Sequence, residues 1–267
     1  MHGRRVLSAV LLLPPFVALL FLGSPFHFLL LVLVAIAVAQ AELYRLFAER
    51  GIAPLRGVGI AVALGLALLA AQDLPGGVVA FGFGLGVAGI LGAALLRGGA
   101  IDLAWARVAA TLVGVAYVGG LLIIPALLRA RPGGAGIVGY LCLVTWSGDT
   151  GAFYVGRALG RRPLCQAISP GKTLEGSLGG LAASLLASLL GGGLAGLPLP
   201  ATHRALLGLA LGAAGQVGDL CESLLKRSLA AKDSGTLIPG HGGLLDRLDS
   251  LLFSGPVLYL YLLVRGG

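Results

Sequence analysis

The sequence predicts an all-α, polytopic integral membrane protein of about nine transmembrane helices, with its N-terminus in the cytoplasm. Only 11% of residues are charged and 57% are hydrophobic, with a mean hydropathy of +0.98; soluble domains carry about a quarter charged residues. Apolar runs recur along the whole chain, at the scale of about 20 residues that a helix needs to cross a bilayer. Of nineteen basic residues, all but Arg129, Arg131, Arg204 and Arg265 fall on one alternating set of segments. That parity is the positive-inside bias of a polytopic chain. It also accounts for the net charge of +8 without a nucleic-acid partner.

The elements follow in order. Span 6–23 comes after a basic start, "MHGRR", as a secretory signal would. No small-residue cleavage site follows it, so an uncleaved first helix is expected. Spans 25–44 and 57–71 are apolar, the latter short. Span 76–96 is rich in glycine, and Gly84, Gly86 and Gly89 form a nominal G-x-G-x-x-G. A dinucleotide fingerprint needs a strand before it; inside an apolar run, small residues for close helix packing are the better reading. Spans 106–128, 136–156, 174–196, 204–225 and 244–264 complete the set. Residues 1–130 are then expected to form an N-terminal region of packing helices. Residues 131–267 form a catalytic region with cytoplasmic loops 157–173 and 226–247. Cys142, Cys165 and Cys221 are far apart and lack metal-ligand spacing.

Charge is concentrated late in the chain. Seven of the eleven acidic residues lie between Asp149 and Asp249. Asp149, Asp219 and Glu222 fall inside predicted spans, where an ionisable group costs at least a few kcal/mol and needs a partner or a purpose. Asp219 and Glu222 are three apart at the end of one helix; Asp246 and Asp249 are three apart at the start of the next. Each pair therefore shares a helix face. Such oxygen-only ligands suit Mg²⁺ or a similar hard cation. The plainer alternative is that these acids form ion pairs with Lys226, Arg227 and Arg247.

The loops supply the opposite charge. Lys226, Arg227 and Lys232 offer donors to phosphate oxygens. Gly240, Gly242 and Gly243 of "PGHGG" let backbone amides approach an anion. His241 is read either as a phosphate donor or as a structural hydrogen-bonding residue. The loop "RRPLCQAISPGKTLEG" adds Ser169, Lys172 and Thr173. It is no P-loop, because Gln166 stands where that motif needs a glycine. Metal-binding acids beside phosphate-binding cations at a membrane surface describe phosphoryl or nucleotidyl transfer on a lipid. No dedicated base is needed, since a phosphate monoester is already largely ionised at pH 7.

At these residues the chain resembles a known family. "SLLKRSLAAKDSGTLIPGHGGLLDRLDS", Ser223 to Ser250, is similar to the signature of phosphatidate cytidylyltransferases. It meets S-x-x-K-R-x4-K-D-x-G-x2-I-P-x-H-G-G-x-x-D-R-x-D at each fixed position. "GDTGAFYVGRALG" and "SPGKTLEGSLGG" support it upstream. The resemblance implies an integral enzyme of the cell membrane that joins CTP to phosphatidic acid, giving CDP-diacylglycerol and pyrophosphate. It further implies Mg²⁺, with a second cation left open, a homodimer, and an active site facing the cytoplasm. Asp219, Asp246 and Asp249 would be the metal and catalytic acids, with Glu222 as a further ligand and Lys226 among the catalytic groups. Ser223, Arg227, Lys232, Asp233, His241, Gly242, Gly243 and Arg247 would contact substrate, and Ser169, Lys172 and Thr173 would form a second phosphate patch.

Two positions depart from the family: Gly171 replaces a lysine, and Gly148 replaces a polar residue beside Asp149. Two alternatives stay open. One is CTP-dependent transfer to another lipid phosphate. The other is an ion-coupled transporter with acids along its path, although no inverted repeat is visible.

Overall fold

The structure, a computed structural model, describes every residue except 1, 73, 99, 195, 197, 198, 236, 238–241, 266 and 267; the side chains of 2–10, 12 and 194 are also left aside. The chain is an all-α, polytopic membrane protein. Each of the nine predicted segments is helical over most of its length. The helices are α1 (His2–Leu22), α2 (Pro25–Glu49), α3 (Arg56–Ala70), α4 (Gly76–Arg97), α5 (Ala104–Val113), α6 (Ile124–Ala130), α7 (Gly134–Leu159), α8 (Leu174–Leu194), α9 (Ala201–Ser228) and α10 (Leu245–Val264). Among the described residues, Pro25–Glu49, Gly76–Arg97, Ile101–Ala130, Leu174–Gly193 and Leu245–Val264 are long and apolar enough to cross a membrane.

Two departures from a plain helix count have local causes. The predicted span 106–128 is not one α-helix, because a π-helical stretch, Gly114–Gly120, separates α5 from α6. Pro125 has no N–H to donate and so sits in the first turn of α6. The second departure is a small antiparallel hairpin, β1 (Pro163–Cys165) and β2 (Ser169–Thr173), within loop 157–173. It pairs Pro163 with Thr173 and Cys165 with Ser169.

The chain forms two compact units. The first comprises Met1–Pro14, Pro25–Leu127 and Leu229–Arg247. Its core includes Tyr44 of α2, which is fully buried. The Tyr44 hydroxyl donates to the Thr111 carbonyl at 2.7 Å and accepts from Gln40 Nε2 at 2.6 Å. A Cβ on Gly114 would lie 2.6 Å from Tyr44 Cζ, so the ring occupies the space a side chain would take.

The second unit comprises Pro15–Ser24, Leu128–Ser228 and Leu248–Gly267. In it α8 packs along α7 and α9. Small residues line these seams: a Cβ on Gly151 would strike Ala183, and one on Gly212 would come within 2.8 Å of Ser184. This is the close approach that small residues allow between membrane helices. The units interleave along the chain, and residues 229–247 group with the first.

Candidate active site

Helix α9 presents four buried glycines along one side, Gly208, Gly212, Gly215 and Gly218. A Cβ on Gly218 would lie 2.5 Å from the Asp249 carbonyl oxygen and 3.0 Å from the Phe253 ring. Here a glycine is required, since any side chain would push α10 away. The consequence falls one residue later. Asp219 and Glu222 of α9 and Asp249 of α10 bring one carboxylate oxygen each within 4.8 Å of one another.

Like charges at this spacing repel, and two lysines relieve the strain. Lys172 Nζ, delivered by β2, lies 2.7 Å from Asp219 Oδ2. Lys226 Nζ lies 2.7 Å from Glu222 Oε2, one helical turn along α9. Glu222 is only 1% exposed and Lys226 11%, so the pair must be made well to offset its desolvation. Asp249 Oδ1 accepts the Ser250 N–H at 2.7 Å. Ser250 Oγ donates at 3.4 Å to Asp149 Oδ1, which brings a fourth acid beside the cluster. Oxygen-only donors converging on one point fit a hard divalent cation. Asp219, Glu222 and Asp249 are thus a candidate metal centre.

The other expected residues fall around this cluster or elsewhere. Ser169 opens β2 and Thr173 closes it, where Thr173 Oγ1 accepts the Gly176 N–H at 3.1 Å as a cap on α8. Arg227 Nε donates to the Ile168 carbonyl at 3.3 Å, tying the end of α9 to the hairpin. Ser223 is half-buried. In the first unit, Lys232, Asp233 and Arg247 are exposed. His241 lies outside the described residues. Gly171 has open space where a Cβ would point, whereas a Cβ on Gly148 would collide with Ser184 Oγ. The first departure leaves room for the missing lysine; the second leaves none for a polar side chain.

Asp246 belongs to a network in the first unit. Its Oδ2 accepts from Ser234 N at 2.9 Å, Ser234 Oγ at 3.0 Å and Gly243 N at 2.8 Å. Gly242 adopts φ +86°, and a Cβ there would stand 2.6 Å from Asp246 Oδ2; both demand glycine. The Gly243 amide is therefore directed at Asp246.

Sequence reasoning missed the partner of this network, Glu42. Its carboxylate accepts from Leu244 N and Leu245 N at 3.0 Å each and from Ser234 Oγ at 3.2 Å. Nearby, Arg45 Nη2 donates to the Ser234 carbonyl at 3.2 Å and Arg50 Nε to the Leu229 carbonyl at 2.6 Å. A signal existed: Glu42 falls inside predicted span 25–44, where a carboxylate needs a partner.

The late helices of this membrane protein thus gather three acids and two lysines in one place. Residues 3–265 match the profile of the cytidylyltransferase family, and the chain belongs to that family. It is 50% identical over 123 residues to the phosphatidate cytidylyltransferase of Bacillus subtilis (strain 168), covering 46% of each chain. It is 46% identical over 128 residues to the phosphatidate cytidylyltransferase of Synechocystis sp. (strain ATCC 27184 / PCC 6803 / Kazusa), covering 48% of this chain and 43% of the relative. It is also 45% identical over 130 residues to the uncharacterized protein YnbB of Escherichia coli (strain K12), covering 49% and 43%. The chain spans about half the length of the curated relatives it matches.

Proposed function

We propose that this protein transfers the cytidylyl group of CTP to phosphatidic acid, giving CDP-diacylglycerol and pyrophosphate. The observation that carries the reading is the meeting of Asp219, Glu222 and Asp249 within 4.8 Å, with Lys172 and Lys226 each 2.7 Å from one of them, in a chain of the cytidylyltransferase family.

The chemistry asks for little proton transfer and much charge control. An oxygen of the lipid phosphate, already ionised, forms a bond to the α-phosphorus of CTP. The bond to the bridging oxygen breaks, and pyrophosphate leaves with the electron pair. The obstacle is repulsion between two anions. Asp219, Glu222 and Asp249 would hold Mg²⁺, which supplies charge neutralisation and alignment of the phosphates. Lys172 and Lys226 stand beside these acids and are proposed to turn to phosphate oxygens when substrate enters, with Arg227 as a further donor. Asp246, whose Oδ2 accepts from Ser234 and Gly243, is proposed to act by holding those two residues in place. The same reading extends to a site facing the cytoplasm of the cell membrane and to a homodimer.

Purified protein given labelled CTP, Mg²⁺ and a panel of lipid phosphates tests this. A labelled liponucleotide from phosphatidic acid is expected. No product from any lipid in a folded sample overturns the activity; product from a different lipid phosphate alone replaces the substrate.

A further inference from the structure

We propose that Glu42 of α2 is the positioning residue that sets the signature loop on the N-terminus of α10. This rests on the function proposed above and adds to it a residue outside the signature and 192 positions before Ser234.

Glu42 is 9% exposed and lies in a helix long and apolar enough to span a membrane. A carboxylate there is expensive unless its charge is answered. Among the described residues, its donors all come from one short segment, Ser234 to Leu245. Leu244 N and Leu245 N, both at 3.0 Å, are among the first amides at the start of α10, which have no carbonyl partner in their own helix. A negative charge at this end also opposes the helix dipole favourably. Charge-assisted bonds of this kind are roughly twice as strong as neutral ones.

The third donor is Ser234 Oγ, whose single hydroxyl proton is shared between Glu42 Oε2 at 3.2 Å and Asp246 Oδ2 at 3.0 Å. Glu42 thus grips both ends of the segment, Ser234 at one and Leu244–Leu245 at the other.

The glycines give independent support. A Cβ on Gly235 would lie 2.6 Å from Glu42 Oε1, and one on Gly243 would lie 2.5 Å from Glu42 Oε2. Two glycines of the signature therefore clear space for a side chain from α2. Ser234 and Gly235, which follow Lys232 and Asp233, meet Glu42 together with Gly243, Leu244 and Leu245, and this segment runs directly into the helix that carries Asp249. Displacing a reacting group by about 1 Å costs roughly 100-fold in rate. A clamp that fixes this loop therefore acts on turnover before it acts on binding.

The experiment compares Glu42→Gln and Glu42→Ala with Glu42→Asp in the full chain in detergent. Backbone hydrogen exchange is read alongside kcat and KM for CTP. Loss of protection confined to residues 234–245, with kcat about 100-fold lower and KM changed far less, is expected for Gln and Ala; partial recovery is expected for Asp. Wild-type protection at 234–245 in Gln and Ala overturns the proposal. So does lost protection with wild-type kcat. Loss of protection throughout α7–α9 in both variants also overturns it, because Glu42 would then support the fold at large. If the wild type makes no liponucleotide, the functional reading fails, while the exchange pattern still decides the clamp.

Discussion

Glu222 and Lys226 occupy one turn of α9, nearly sealed from solvent, with 2.7 Å between charge-bearing atoms. Breaking a buried ion pair by removing one partner costs about 3–5 kcal/mol. Glu222→Gln should therefore lower stability by that order, and adding Lys226→Met should recover much of it while activity stays lost. Thermal melting and turnover on the two variants check this; recovery of activity in the double variant would show that neither residue serves the reaction. Asp249→Asn is expected to lower kcat by roughly 100-fold with a melting point close to wild type, since Asp249 has no lysine at the contact distance of the other two acids among the described ion pairs. Gly171 offers the opposite kind of test. Its side-chain direction is open, so Gly171→Lys should fold normally and lower KM for CTP by adding a cation beside Lys172. An unchanged KM would show that this position faces no phosphate.

Helices decide where those residues meet. On α9, Gly218 abuts the α10 backbone at Asp249. Overpacking a tight contact costs about 1–3 kcal/mol. Gly218→Ala should accordingly lose far more activity than stability, because the displaced carbonyl belongs to a member of the acidic cluster. Gly84→Ala in α4, where nothing lies within 4 Å, is the control and should be neutral or slightly stabilising. Turnover and melting temperature measured together separate the two outcomes.

The helices themselves were legible, since a run of about 20 apolar residues leaves few options for a chain in lipid. That Asp219 and Glu222 share one face of α9 was legible from their spacing as well. Spacing alone did not say that Asp249 would join Asp219 and Glu222 while Asp246 Oδ2 turned to Ser234 and Gly243. The β1–β2 hairpin was invisible for a similar reason: "SPGKT" has no alternating pattern, and its extended form carries Lys172 to Asp219 through tertiary contact. Glu42 was harder still, because its partners lie about two hundred positions away and local periodicity carries no trace of them.

At the scale of the whole molecule, the distribution of basic residues predicts sidedness. The loops at 157–173 and 226–247 carry Arg157, Arg161, Arg162, Lys172, Lys226, Arg227, Lys232 and Arg247, while the opposite segments hold few cations. In a variant with Cys142, Cys165 and Cys221 replaced, Lys232→Cys should react with a membrane-impermeant thiol reagent only from the cytoplasmic face, and Pro200→Cys only from the other. Labelling of both from one side would reverse the inferred topology of the last helices.

The grip of Glu42 on Ser234, Leu244 and Leu245 also sets an order of events in biosynthesis. A ribosome releases α2 long before it makes the donors that α2 awaits, so the nascent N-terminal helices carry an unanswered anion through most of translation. Closure of that contact has to wait for the last tenth of the chain, since the Leu245 amide is among the donors.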